Sequence, residues 1–272
     1  LLEKIRNKEV LFDDFIDICQ EVVEKGGAKY GLVHRPSAGN DFYEIINALG
    51  GVYYNDQNQL VFDNQGILKF FQFTYDNAQT RGITPDNLNQ LGWDTINKMV
   101  GTGEAFAYYG PMFSATYVAQ AAGRSTEEFA KQEAFVLFPA ADASGQPFAV
   151  AAPQTIAISA DTKYPEVCKD IVREMITGSS DMMARHAATI YTLSSVKKAN
   201  EDPQITEHPL LAGVTYMTDY AVTPPAVEGQ TTLRGYLFTE IVTLELGQTT
   251  PQESFENAKA QAELNIDGLV QK

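Results

Sequence analysis

The chain has 272 residues, 44% hydrophobic and 20% charged, with 35 Asp and Glu against 20 Lys and Arg for a formal net charge of -15. That length and apolar content suit a folded, water-soluble protein with one large core or two smaller ones. The negative field repels phosphate backbones and anionic lipid surfaces, so nucleic acid is not an expected partner.

No apolar run approaches the roughly 18 to 20 residues needed to span a bilayer. The opening Leu1-Leu2-Glu3-Lys4-Ile5 has no initiator Met, basic region or cleavage site, so the expectation is a mature form or a cut piece without an export signal of its own. Cys19 and Cys168 fall in no ligand or Cys-x-x-Cys spacing and read as unpaired, packed thiols.

In chain order, Phe12, Phe15, Ile16, Cys19, Val22 and Val23 recur at helical spacing and Gly26-Gly27 closes the segment, which predicts an amphipathic helix. Tyr30 to Val33 reads as a short buried strand, and the polar loop His34 to Asn40 follows it. A helix is expected from Asp41 to Leu49, and then a small hairpin around Asn55 to Asn58. Ile67, Phe70, Phe71 and Tyr75 mark a helix over 64–79 that Gly82 and Pro85 break, and another helix runs from Trp93 to Val100, with Trp93 as core packing.

Ala105 to Tyr109 reads as a buried strand stopped by Gly110-Pro111, with a helix from Phe113 to Ala122 after it. Ala134 to Phe138 and Thr155 to Ser159 are two further strand candidates. The remainder is mainly helical: 165–177, 181–187, 233–246 with Leu233, Leu237, Ile241 and Leu244 on one face, and 252–266 behind Pro251. Strands and helices alternate, so the fold class is α/β.

Motifs for catalysis or cofactors do not assemble. Gly101-x-Gly103 lacks the third glycine of a dinucleotide fingerprint and joins a helix to a strand, the reverse of the required order. There is no phosphate loop and no Gly-x-Ser-x-Gly turn. His34, His186 and His208 share no i, i+4 spacing for zinc and are expected on the surface or in packing. No cofactor and no metal is expected.

The order of the early helix Phe12 to Val23, the Asn47-Ala48-Leu49-Gly50-Gly51 helix end with its tyrosine-rich hairpin, the stretch Gly101 to Phe113, the Thr155 to Thr177 segment and the closing helices split by Gly247 to Pro251 resembles the extracytoplasmic solute-binding proteins of ABC importers, carbohydrate type. Gly103-Glu104-Ala105-Phe106-Ala107-Tyr108-Tyr109-Gly110-Pro111-Met112 carries the likeness most specifically.

The resemblance implies a periplasmic-binding-protein-like fold of two α/β lobes that clamp a solute between them by hinge closure. It implies a chain that begins after most of the N-terminal lobe, with 1–147 and 204–272 forming the C-terminal lobe and 148–203 returning to the N-terminal one. That segment would then leave apolar surface uncovered, so local disorder or self-association is expected. The implied partners are a small solute, a saccharide by family, and the permease subunits of the importer, and the implied location is extracytoplasmic.

Loops at strand ends build the ligand face in such folds. The resemblance therefore points to Arg35, Asn40 and Asp41 after the first strand, whose plainer reading is a solvated turn and helix cap. It also points to Met112 and Phe113 after Tyr109, although Met112 stands where relatives carry an aromatic ring. At the start of the Leu233 helix it points to Arg234 and Tyr236, where Arg234 could meet an anionic ligand group, pair with Asp41 or stay a solvated charge. A non-carbohydrate binding protein or a sensor for a receptor kinase stays open, and so does a glycoside hydrolase using two of the carboxylates.

Overall fold

The computed structural model describes residues 1–143, 145, 147, 149–152, 155–178 and 180–272. Helices α1 (Leu2–Arg6) and α2 (Phe12–Glu24) lead into strand β1 (Tyr30–His34), then α3 (Asp41–Ala48), β2 (Val61–Phe62), α4 (Asn64–Tyr75), α5 (Trp93–Gly101) and β3 (Ala105–Tyr109). After these come α6 (Ser114–Ala121), α7 (Thr126–Ala130), β4 (Ala149–Val150), α8 (Pro165–Arg173), α9 (Ser180–Thr189), α10 (Lys197–Asn200), α11 (Pro203–Thr206), β5 (Ala221–Val222), α12 (Gln230–Glu245), α13 (Pro251–Asn265) and β6 (Val270–Gln271).

The chain divides into two compact units, one made of 1–111, 136–150 and 224–272 and the other of 112–135 and 151–223. Residues 112–135 share a core with 180–211, through buried Phe129, Ala184, Ala187, Tyr191, Ile205 and Leu211 and a hydrogen bond between the Thr126 and Tyr191 hydroxyls.

In the first unit β1 and β3 run parallel, Tyr30 opposite Ala105 and His34 opposite Tyr109. The free side of β1 is taken by the backbone at Ile83, whose carbonyl accepts from the Gly31 and Leu32 N–H groups, and by the Thr84 hydroxyl, which donates to the Leu32 carbonyl. Helix α2 buries Phe12, Phe15, Ile16 and Cys19, the stripe its spacing implies, and ends near Gly26 in the left-handed region (φ 72°). Leu233, Leu237, Ile241 and Leu244 of α12 are buried, as their periodicity requires, and α12 packs on α4 and α13.

With Phe62, Phe70 and Phe71 these residues form one continuous core. Each fully buried side chain of this kind contributes roughly 1.5–3 kcal/mol relative to exposure. Asp63 starts α4: one carboxylate oxygen accepts from the Gly66 N–H at 2.9 Å, the other from the Val52 N–H at 3.1 Å. Gly66 is needed there, since a Cβ would fall 2.6 Å from the Gly51 Cα.

Several expectations are corrected. Residues 134–138 form no strand: Val136 and Phe138 pack as side chains on the first unit's core, Phe138 against Phe12, Phe15 and Tyr109, without a backbone ladder. Residues 155–159 form no strand either, and Ile156 is exposed, because no described strand lies beside them to supply hydrogen bonds. The hairpin shrinks to a single bridge, Tyr54 to Leu60, and β2 pairs in parallel with β6 instead. The helices expected to reach Gln79 and Thr177 both finish in a π-helical turn, 76–80 and 174–178.

Asp63→Ala should lower stability by about 2–4 kcal/mol, since it removes an N-cap and leaves the Val52 N–H without its acceptor. Asp63→Asn, which keeps one acceptor, should lose less. Urea unfolding of the two variants against wild type checks the order, and equal losses would show that Asp63 acts only through its charge.

Candidate functional site

The loops at the carboxyl ends of the parallel strands hold the densest group of polar side chains predicted from sequence. Just past β1, Arg35 folds back over Gly39, where a Cβ would fall 2.5 Å from the guanidinium, and its Nη1 donates to Asp41 Oδ2 at 3.3 Å. Asn40 stands at the N-cap of α3 but its side chain caps nothing. Its Oδ1 instead accepts from Arg234 Nη1 at 2.5 Å. Asparagine is among the preferred N-caps, so the helix gives up part of that stabilisation to hold an arginine from another helix.

Arg35 also lies over the ring of Trp93, 5.2 Å from its centroid, and Trp93 is 40% exposed at the first position of α5. This corrects the expectation of a core tryptophan. A cation resting on an indole face gains about 0.5–1 kcal/mol at an exposed site, enough to orient the ring. Beside Arg234, the Tyr43 hydroxyl donates to the Gln230 carbonyl at 3.4 Å, and the Tyr43 and Tyr53 rings lie 3.6 Å apart between centroids.

The structure thus brings Arg35, Asn40, Asp41 and Arg234 together. Arg234 pairs with Asn40 and not with Asp41, because Arg35 has already taken that carboxylate. Tyr236 stands two residues further along α12, about 200° round the helix from Arg234, and packs against the core. Met112 and Phe113 belong to the second unit, where Phe113 precedes α6 and is 46% exposed.

Beneath the cluster lies a pair that no sequence spacing announced. His34 is buried, as a packing histidine would be, yet its Nε2 meets Glu245 Oε1 at 2.5 Å and its Nδ1 meets the Arg35 carbonyl at 2.7 Å. Both neighbours are acceptors, so the ring donates from both nitrogens as an imidazolium. Burial works to lower its pKa, but the Glu245 charge and hydrogen bond, the Arg35 carbonyl and the Asp41 charge outweigh it and hold His34 above the ordinary histidine value of 6.5.

Two carboxyls of α3 are displaced the other way. Burial raises Asp41 against the pull of Arg35. Burial also pushes Glu44 up to about 7, opposed by the Val150 N–H that donates to it at 2.6 Å and reinforced by the Asp41 charge. Glu245 also borders a cavity of about 10 Å³ with Thr74, Asn77 and Thr84, too small for any saccharide. Among the described residues no group of three or more His, Cys, Asp and Glu side chains is arranged to hold a metal ion, and no helix is long and apolar enough to cross a membrane.

Residues 11–213 match the bacterial extracellular solute-binding proteins. The chain belongs to that family. It stands among binding proteins and not among enzymes. No curated protein sequence matches it.

Solved structures show the same fold. The maltose-bound MalE3 of T. maritima superposes with a TM-score of 0.71 at 16% identity over 94% of this chain and 65% of its own. The maltose/maltodextrin-binding domain MalE of Bdellovibrio bacteriovorus, bound to maltotriose, gives 0.72 at 18% over 94% and 66%. An ABC transporter solute-binding protein of Thermotoga lettingae bound with α-D-tagatose gives 0.71 at 18% over 93% and 64%. The chain therefore spans about two thirds of the length of these structures.

The displaced groups predict opposite fates for two variants across pH. Native Glu44 keeps its proton up to about 7 against an ordinary 4.5, so it lowers stability as pH rises between those values. Glu44→Gln should accordingly gain on wild type through that window. His34 contributes stability that is complete below about 6.5 and is lost as pH rises through its higher native value. The deficit of His34→Gln relative to wild type should therefore shrink toward alkaline pH. Urea midpoints of both variants from pH 4.5 to 9 test this, and differences that do not vary with pH would contradict the assigned protonation states.

Proposed function

We propose that the chain is the solute-capturing component of an ABC importer. It would act outside the cytoplasmic membrane, bind a small saccharide without chemical turnover and deliver it to permease subunits. The observation that carries this is the meeting of Arg35, Asn40, Asp41 and Arg234 beside the half-exposed Trp93, in a chain of the extracellular solute-binding family.

A sugar ring offers hydroxyls that both donate and accept along its rim, and an apolar face of C–H bonds. Guanidinium donors and the Asp41 and Asn40 oxygens suit the rim. An aromatic ring suits the face. The sugars in the T. maritima, B. bacteriovorus and T. lettingae structures support a saccharide here as well.

A glycosidase is less well supported. Asp41 and Glu44, the carboxyls of the cluster, are engaged by Arg35 and the Val150 N–H, and no second pair stands out. In this reading 1–147 and 204–272 belong to one lobe of the whole protein and 148–203 to the other. Met112, Phe113 and Tyr236 are kept as further ligand-facing candidates, and closure of the lobes would complete the binding surface.

Trp93 is the only tryptophan of these 272 residues, so the part of a fluorescence change that Trp93→Phe abolishes reports on this surface. Titration of the protein, in the full length its gene encodes, with maltose, maltotriose, tagatose and other small saccharides should give a saturable change for at least one. Trp93→Ala should weaken that ligand about tenfold or more, roughly 1.4 kcal/mol, when binding is followed by calorimetry. Silence in both fluorescence and heat across the panel would sink the saccharide reading.

A further inference from the structure

The starting point is the amino end of α12. The helix has 16 residues, its N-cap is Gly229 in the left-handed region (φ 81°), no side chain caps it and no acidic residue stands in its first turn. Helix N-termini carry partial positive charge and ordinarily gather acids and capping oxygens. Arg234 follows in the second turn, the fifth residue of the helix.

Among the described residues Arg234 makes no ion pair. Its hydrogen-bond partner, Asn40, is neutral, and it faces the neutral phenols of Tyr43, Tyr53 and Tyr54. The nearby carboxylate, Asp41, is held by Arg35. The bonding pattern adds direction: both arginines use Nη1 for their protein partner, and the Nε of each is buried without an acceptor. The Nε edge of a guanidinium is a side on which a carboxylate or phosphate docks with two parallel hydrogen bonds. A buried donor without a partner costs stability, and a small turn of the outer side chain toward an anionic ligand would recover it.

We propose that the captured solute is a small saccharide carrying an anionic group, a carboxylate or a phosphate, and that Arg234 receives that group at the start of α12 while Arg35 and Trp93 hold the neighbouring ring. The inference rests on the solute-binding reading above and narrows its ligand class. The formal charge of -15 opposes an anion at long range, so the preference comes from contacts inside the screening length, about 8–10 Å at physiological salt.

The test compares glucuronate, digalacturonate and glucose 6-phosphate with glucose and maltose by calorimetry on the full-length protein, at two salt concentrations. At least one acidic sugar should bind tenfold or more tighter than its neutral counterpart and weaken as salt rises, and the better of carboxylate and phosphate identifies the group. Arg234→Gln should cut the acidic ligand's affinity at least tenfold more than it cuts that of a neutral sugar. Arg234→Lys keeps the charge and loses the two-pronged donor edge, so it should keep only part of the acidic preference and serves as the check if Arg234→Gln fails to fold; an undiminished preference in it would overturn the role given to Arg234.

Neutral and acidic sugars binding alike, or an acidic preference that survives Arg234→Gln intact, overturns this inference and leaves the saccharide reading standing. Absence of binding by every sugar of either kind overturns both.

Discussion

The buried ion pair between His34 and Glu245 is the constraint on which the polar cluster of Arg35, Asn40, Asp41 and Arg234 depends. His34 ends β1 and Glu245 ends α12, 211 positions apart in sequence, and their side chains meet at 2.5 Å in the core. Moving two charges out of water costs several kcal/mol per ion, recovered only where geometry and further hydrogen bonds are good. The Arg35 carbonyl supplies one to the imidazolium, and Gln79 holds the end of α12 in place by donating to the Glu245 backbone carbonyl. A pair with so strict a geometry sets the lengthwise position of α12 against the sheet. Arg234, 11 residues back and so about 16 Å along the axis, is thereby delivered to the loop that begins at Arg35.

At the surface so formed Asn40 occupies the N-cap of α3 without capping it and gives its Oδ1 to Arg234, whereas Asp63, Ser125 and Thr250 at the starts of α4, α7 and α13 do cap their helices. Arg35 and Arg234 each keep a buried Nε donor without an acceptor, so the cluster holds hydrogen-bonding capacity that the fold itself does not use.

The helices were largely legible from sequence because each carries its own signal. The buried stripe of α2, the Leu233-Leu237-Ile241-Leu244 face of α12 and the Pro251 start of α13 depend on spacing within one segment. Strands were less legible. Tyr30 to Val33 and Ala105 to Tyr109 pair as expected, but Ala134 to Phe138 and Thr155 to Ser159, equally apolar, do not. An apolar run becomes a strand only if another strand meets it, and that partner is not written in the run itself. Arg35, Asn40, Asp41 and Arg234 are legible as candidates because they sit near strand and helix ends, whereas the exposure of Trp93 is not, since the arginine over its ring comes from a loop 58 residues earlier.

The sequence by itself determined the family, the α/β class, the helical faces and the loops from which a ligand surface would be drawn, because these follow from local periodicity, turn chemistry and the order of motifs. Tertiary structure decided the pairings: His34 with Glu245, Arg35 with Asp41 and Trp93, and Arg234 with Asn40. Each depends on side chains brought within a few ångströms by the packing of separate elements. Attraction between charges and donors is short-ranged in space and blind to sequence separation, so which residues share a site is fixed only once the helices have taken their places around the core.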